Sequence, residues 1–408
     1  MSIADGIQDN NREVYFSLLE TVELKFIKLL LQRIRFGSLS VNFPGNVNMT
    51  FIGKESGPDA QIKIQKTRVI RRLFFSGSLG FADSYIDGDW ETEDLTKLLE
   101  FAVINTSAWG RLQKGIRVIR LINKIKHFLR MNTKNGSKKN IAAHYDLGNS
   151  FYKLWLDKTM SYSSGIFDED ISDLESAQIR KHERLLGLLD TTKSKSVLEI
   201  GSGWGSFALF AASKGNHKIK GITISEEQYK ESIKRLNESK MNDQVQFCLQ
   251  DYRDITGSFD NIISIEMIEA VGESYWETYF KKVAEALKPG GNFVIQVITI
   301  KDDIFYDYRE RVDFIQRYIF PGGMLPSRKK LIEHTRKAGF KWVNEKSFSQ
   351  DYAKTLKAWS SNFELFKPEI ENLGFDEKFF RCWRYYLSYC QAGFKTGHTD
   401  LLQIVLSR

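Results

Sequence analysis

One stretch of this chain constrains its fold more than any other. Val197, Leu198, Glu199 and Ile200 run directly into Gly201-Ser202-Gly203-Trp204-Gly205, and an apolar, helix-like segment over 206–213 follows. The first four residues read as a buried strand. Glycines at its carboxyl end permit the positive dihedrals of a tight turn and let the backbone approach a ligand closely. The spacing is GxGxG, not the GxGxxG of dinucleotide sites, and an acidic side chain, Glu199, precedes the first glycine by two positions. Further short apolar runs at 219–224, 261–265 and 293–298 alternate with helix-like segments. That alternation predicts an α/β fold, a doubly wound sheet with helices on both faces.

At 408 residues the chain is long for one compact domain, so two are expected. Residues 14–36 are apolar-periodic and read as helix. From 38 to 75, stretches such as Val47-Met49-Phe51 and Ile62-Ile64 alternate with Gly and Pro turns, which predicts a small sheet, followed by a glycine turn at 77–80. Over 111–131, Leu112, Ile116, Ile119, Ile122, Ile125 and Leu129 recur at intervals of three and four, Arg111, Lys114, Arg117, Arg120, Lys124, Lys126 and Arg130 lie between them, and none is acidic. Such a basic amphipathic helix suits the headgroup boundary of an anionic membrane; the same pattern also serves a helix packed between domains. The polar stretch 132–140 reads as a linker. The expected organisation is a smaller α+β accessory, lipid-binding domain over 1–131, the linker at 132–140, and the catalytic α/β domain over 141–408.

The formal charge of +8 lies wholly in the first 140 residues, which hold 22 Lys and Arg against 14 Asp and Glu, while the rest balances at 37 of each. An anionic surface is the partner this asymmetry implies. No nucleic-acid module accompanies the basic excess, which sits on an aliphatic-rich helix, so a membrane surface is expected and nucleic acid is not. The three cysteines show neither disulfide nor metal spacing and the six histidines show no paired spacing, which argues against a metal site and suits a reducing cytoplasm. No apolar run reaches the roughly 18 residues of a membrane span, so contact with a membrane is expected to be peripheral, at its inner face.

The glycine turn with Glu199 resembles the S-adenosylmethionine motif of the Rossmann-like methyltransferases. After the next strand, Thr223, Ser225 and Gln228 can donate and accept hydrogen bonds where ribose hydroxyls would lie. After the third strand, Asp251 and Tyr252 stand where an adenine could be stacked and its amino group bonded.

The match then narrows to one family. His144-Tyr145-Asp146-Leu147-Gly148-Asn149, Phe151-Tyr152, Met160-Ser161-Tyr162-Ser163, Glu269 with Val271-Gly272, and Tyr318 to Gly323 with Leu325-Pro326 resemble the cyclopropane fatty acid synthases and mycolic acid cyclopropane synthases. The likeness runs from Ile141 to Arg408. The stretch Gly80 to Trp90 (GFADSYIDGDW) resembles the accessory domain of the phospholipid-acting members. The resemblance implies that Tyr162 and Ser163 contact the methionine part of the methyl donor, that Gly201, Gly203 and Gly205 line its turn, and that Thr223 and Gln228 hold its ribose. It implies methylation of a cis double bond in an acyl chain through a carbocation that loses a proton. Family members often pair as homodimers, although the sequence does not fix the oligomeric state. His144 matches the motif and could orient substrate or cap a helix.

In relatives the proton acceptor is a bicarbonate ion held by a glutamate, a tyrosine, a histidine, a cysteine position and an isoleucine backbone. By resemblance Glu269, Tyr352 and Ile298 match three of these, Gln296 stands at the histidine position, Ser164 at the cysteine position, and Ala270 where a histidine usually follows the glutamate. A backbone N–H at Ser164 preserves that contact. Glutamine keeps a donor but loses the titratable group, so anion binding should weaken. Two products therefore stay open: a cyclopropane, or a methylene- or methyl-branched acid. A reading from another class is a non-catalytic lipid-binding protein that kept the fold.

Overall fold

The computed structural model describes residues 25, 27–45, 47–109, 132–145, 147–189 and 196–408, without the side chains at 135 and 142–145. The basic helix expected at 111–131, most of the helix expected at 14–36 and the His144 side chain lie outside the described residues. Two compact units emerge: Met1–Lys126 with Glu310–Phe314 and Phe375–His398, and His127–Arg309 with Ile315–Gly374 and Thr399–Arg408. The division differs from a linear boundary near residue 140, because the helix Glu377–Lys395 packs with the helices Leu95–Ile104 and Ser78–Ile86 of the first unit. Arg381 of that helix donates to the Trp90 carbonyl at 3.0 Å, and Lys378 pairs with Asp87 at 3.0 Å.

The first unit carries the small sheet that the alternating stretches announce. Its strands are β1 (Phe36–Phe43), β2 (Val47–Ile52), β3 (Glu55–Ile64) and β4 (Trp90–Glu91), in the order β2-β1-β3-β4. Residues up to 75 are not all sheet. The segment Arg68–Ser76 is helical, and the expected glycine turn is the junction between it and the helix Ser78–Ile86, with Gly77 at φ +61°. A Cβ on Gly80 would lie 2.0 Å from the Arg72 carbonyl oxygen, so only glycine lets these helices approach as they do.

The second unit has seven strands: β5 (Ser196–Ile200), β6 (Lys218–Thr223), β7 (Val245–Leu249), β8 (Asn261–Ile265), β9 (Asn292–Ile300), β10 (Lys341–Ser347) and β11 (Thr399–Ser407). Their order is β10-β11-β9-β8-β5-β6-β7; β5 to β9 run parallel and β11 runs antiparallel between β9 and β10. Strand alternation divides the core in two. Leu198, Ile200, Ile262, Phe293 and Ile295 pack with the helix Trp276–Ala286 on one face, whereas Val197, Ile219, Val245, Ile263 and Val294 pack with Leu185, Phe207 and Leu236 on the other. The expected sheet with helices on both faces is thus present.

The linker expected at 132–140 is overturned. Lys134–Tyr145 is a helix, and Asn132, 5% exposed, donates to the carbonyls of Ala270 and Gly322 at 2.9 and 2.8 Å. Polar composition looked like solvent exposure; instead an asparagine satisfies two buried backbone acceptors.

Candidate active site

In an open parallel sheet, ligands lie outside the carboxyl ends of the strands. Gly201, Gly203, Gly205, Thr223, Ser225, Gln228, Asp251 and Tyr252 fall at or just past such ends, while Glu199 lies within β5 and Tyr162 and Ser163 precede the sheet in sequence. Gly201, Gly203 and Gly205 leave β5 at φ +82°, +53° and +84° and lead into the helix Ser206–Ser213. A side chain on Gly203 would meet nothing within 4 Å, whereas one on Gly201 would collide with Met267. The turn therefore offers a bare backbone surface at Gly203 and abuts the segment that follows β8.

After β6, Ser225 caps the helix Glu226–Ser239 by accepting from the Gln228 N–H at 3.2 Å, and the Thr223 hydroxyl donates to Gln228 Oε1 at 2.9 Å. The three side chains brace one another at the strand end. After β7, Asp251 is committed to Arg253 through a 2.7 Å ion pair. Burial opposes ionisation of Asp251, but the bonds from Arg253 outweigh it and hold the carboxyl below its usual range. Tyr252 is buried with an unpartnered hydroxyl, and burial pushes its pKa up to about 12. These arrangements fit S-adenosylmethionine, since bare turn backbone at Gly203 lies at the sheet edge where the ligand of such a fold is held.

Glu199 follows Val197 in the strand alternation and so points to the face covered by the helix Leu174–Leu188. There Gln178, Lys181, His182 and Leu185 form one buried stripe. Lys181 was not foreseen from the sequence, although a lysine on a buried i, i+3, i+4, i+7 stripe is a readable signal. It is 1% exposed and donates to Ser163 Oγ at 2.7 Å and Gln178 Oε1 at 2.6 Å. Burial lowers its pKa to about 8, against the fields of Glu266, Asp157 and Glu199. Burial raises Glu199 to about 8, and its Oε2 has no partner. Tyr162, next to Ser163 in sequence, packs among rings, 5.3 Å from Trp359, 5.5 Å from Tyr152 and 6.4 Å from Phe320 between centroids.

Four of the five groups expected to hold bicarbonate donate to carboxylates of the chain itself, and the fifth, Glu269, is one of those carboxylates. Glu266 Oε1 accepts from the Ser164 backbone N–H at 3.0 Å and from Gln296 Nε2 at 2.7 Å, and its Oε2 accepts from the Tyr352 hydroxyl at 2.5 Å. The Ile298 N–H donates to Glu269 Oε1 at 2.5 Å, leaving Glu269 Oε2 buried and unpartnered. Gln296 is aimed by a relay: its Oε1 accepts from Gln403 at 2.8 Å, opposite it in the β9–β11 register, and Gln403 accepts from Arg184 at 2.9 Å. The Ser164 hydroxyl turns to the Gly165 carbonyl. Burial raises the pKa of Glu266 in spite of its donors. Burial, and then the neighbouring Glu266, raise Glu269 to about 8. Two adjacent carboxylates cannot both ionise cheaply. Glu266 has three donors and the field of Lys181 to favour its charged form, whereas Glu269 has one donor and feels Glu266 as a like charge, so of the two Glu269 is the more readily protonated. Bicarbonate does not fit: its donors are taken and the charge already there is negative. Glu266 also escaped the sequence reading, though an acidic residue at the carboxyl end of an apolar strand was visible.

Sheet order, glycine turn and strand-end residues together define an S-adenosylmethionine-dependent methyltransferase of the class I fold. Residues 132–404 match the mycolic acid cyclopropane synthetase family model, and the chain belongs to that family. It is 36% identical over 347 residues to the tuberculostearic acid methyltransferase of Mycobacterium tuberculosis, covering 83% of this chain and 81% of the relative. It is 34% identical over 352 residues to the cyclopropane-fatty-acyl-phospholipid synthase of Escherichia coli, covering 86% and 88%. Among solved structures, a mycolic acid cyclopropane synthase complexed with SAH and CTAB superposes with a TM-score of 0.62 at 29% identity, covering 66% of this chain and 98% of its own. The protein is accordingly an enzyme, and the reading of a non-catalytic lipid carrier is set aside.

Proposed function

We propose that this enzyme transfers the methyl carbon of S-adenosylmethionine to the cis double bond of unsaturated acyl chains in membrane phospholipids, giving a cyclopropane fatty acid. Bound S-adenosylmethionine supplies an electrophilic methyl on a sulfonium. The olefin's π pair makes the new carbon–carbon bond, the methyl–sulfur pair stays with sulfur, and the positive charge passes to the second olefinic carbon. Loss of a proton from the added methyl, with the C–H pair closing onto the cation, forms the ring. The chain's part is to bind and orient both partners at the glycine turn and strand ends, to face the cation with rings such as Tyr162 and Trp359, and to accept the proton.

The observation that carries this reading is the carboxylate pair Glu266 and Glu269, flanking the Met267 that abuts the glycine turn, with Tyr352 and Trp359 joining it to the aromatic cluster at 6.1 Å between centroids. The phospholipid substrate is supported by the extent of likeness to the Escherichia coli synthase. Peripheral attachment at an anionic inner membrane face is supported by the charge excess of the first 140 residues; among the described residues no helix is long and apolar enough to cross a membrane. A second reading has the same cation undergo a 1,2-hydride shift before the methyl proton leaves, giving an exocyclic methylene that a partner reductase could convert to a methyl branch. Gln296 and Ala270 in place of histidines, and the likeness to the tuberculostearic acid methyltransferase, favour it. Cells expressing the chain and fed methyl-labelled methionine should place the label in phospholipid acyl chains. Ozonolysis then separates the products: a methylene is cleaved and a ring is not. No label in any acyl chain would sink both readings.

A further inference from the structure

We propose that the Glu266 carboxylate is this enzyme's own proton acceptor, built into the place where relatives hold a bicarbonate ion, so that the reaction runs without any dissolved anion. The inference rests on the methyl-transfer reading above. Its first support is occupancy. Ser164 N–H, Gln296 Nε2 and the Tyr352 hydroxyl all donate to Glu266, and the Ile298 N–H to its neighbour Glu269. The donors expected to bind the anion are turned onto these two carboxylates instead.

The second support is backbone geometry. Glu266 sits at φ +49°, a left-handed conformation that disfavours any residue with a Cβ by about 1–2 kcal/mol. Its N–H is spent on the Gln296 carbonyl at 2.8 Å, which holds the turn. Glycine would adopt this conformation freely, and the carboxylate makes no ion pair among the described residues, with Lys181 acting on it only through its field. Residues held against both backbone and solvation preference are characteristic of functional positions.

The third is direction. The relay from Arg184 through Gln403 and Gln296 orients an amide N–H at Glu266, and three neutral donors stabilise a carboxylate without neutralising it. In the step itself, the C–H bond of the transferred methyl breaks, the proton goes to a Glu266 oxygen, and the C–H pair forms the last carbon–carbon bond. The carboxylic acid then releases its proton to solvent before the next turnover.

The test uses the full chain with unsaturated phospholipid vesicles in buffer stripped of carbon dioxide. Wild type should keep its turnover within twofold when millimolar bicarbonate is added. Glu266→Gln should lose about 10²-fold in kcat or more with S-adenosylmethionine affinity by calorimetry unchanged. Glu266→Gly, which suits the backbone, should recover part of the lost rate with bicarbonate, and should broaden the carbon-13 signal of labelled bicarbonate saturably where wild type does not. Saturable bicarbonate binding by wild type, a bicarbonate requirement for its activity, or a Glu266→Gln variant with undiminished kcat would each overturn the assignment. If wild type labels no lipid, the functional reading fails instead, while the carbon-13 measurement still reports whether Glu266 closes the anion site.

Discussion

Each of the two units holds a carboxylate within its fold, Asp89 fully buried and Glu266 part-buried, and they treat it in opposite ways. In the first unit, Asp89 lies among cations: Arg68 grips it with two nitrogens at 2.6 and 2.8 Å, Arg72 approaches to 3.3 Å and Lys66 to 3.8 Å. Its backbone carbonyl accepts from Gln65 and Lys66, and the adjoining Trp90 stacks on Phe81. In the second unit, Glu266 is surrounded by neutral donors and a second carboxyl group. A charge balanced at every lone pair holds a fold together. One left under-compensated beside a cofactor turn is a chemical reagent kept at some expense of stability.

Breaking the contrast from the structural side should give the largest change in stability. Asp89→Ala leaves Arg68 and Arg72 without their partner and should destabilise the first unit by about 2–3 kcal/mol, a buried-pair loss discounted because the arginines are part-exposed. Thermal unfolding measures it, and S-adenosylmethionine affinity should hold. Glu266→Gln should move the other way and raise the melting temperature, since a neutral isostere can still meet all three donors once the Tyr352 hydroxyl turns to accept. A fall of several degrees would mean that Glu266 is structural like Asp89.

The pH dependence sharpens the same point. Glu269 and Glu199 have folded pKa values near 8, above the ordinary carboxylate value, so the folded state holds protons that the unfolded state releases. Their contribution to stability is complete below about pH 4.5 and is lost as pH rises to about 8, by at most about 1.4 kcal/mol per pH unit for each group. Glu269→Gln should flatten the decline of melting temperature across that window. Lys181 has the opposite sign: its pKa near 8 lies below the ordinary lysine value, so its burial penalty is full below pH 8 and is relieved as pH rises toward 10.5. Lys181→Met should remove that rise. The smallest effect is expected from Ser164→Cys, within twofold in kcat, because the backbone N–H makes the contact with Glu266.

Much of this site was legible in one dimension. The turn at Gly201 to Gly205 follows from local pattern, and Tyr352, Gln296 and Ile298 follow from the family resemblance, whereas Ser225, expected beside a ribose, caps a helix. Glu266 and Lys181 were passed over for a common reason: each reads as an ordinary charged residue until the sheet buries it. The mistaken linker at 132–140 is the converse, polar residues whose partners are 138 and 190 positions away.

Strand periodicity and glycine spacing are local properties of the chain, and by themselves they determined the α/β sheet and the cofactor turn; the family followed from the resemblance of motifs spread between His144 and Pro326. Which carboxylate meets which donor was decided only by tertiary structure. Ser164, Gln296 and Tyr352 come from a loop, a strand and a distant helix, and hydrogen bonds act over 3 Å while sequence separation among these partners runs from 30 to 102 residues. No pattern along the chain encodes that meeting.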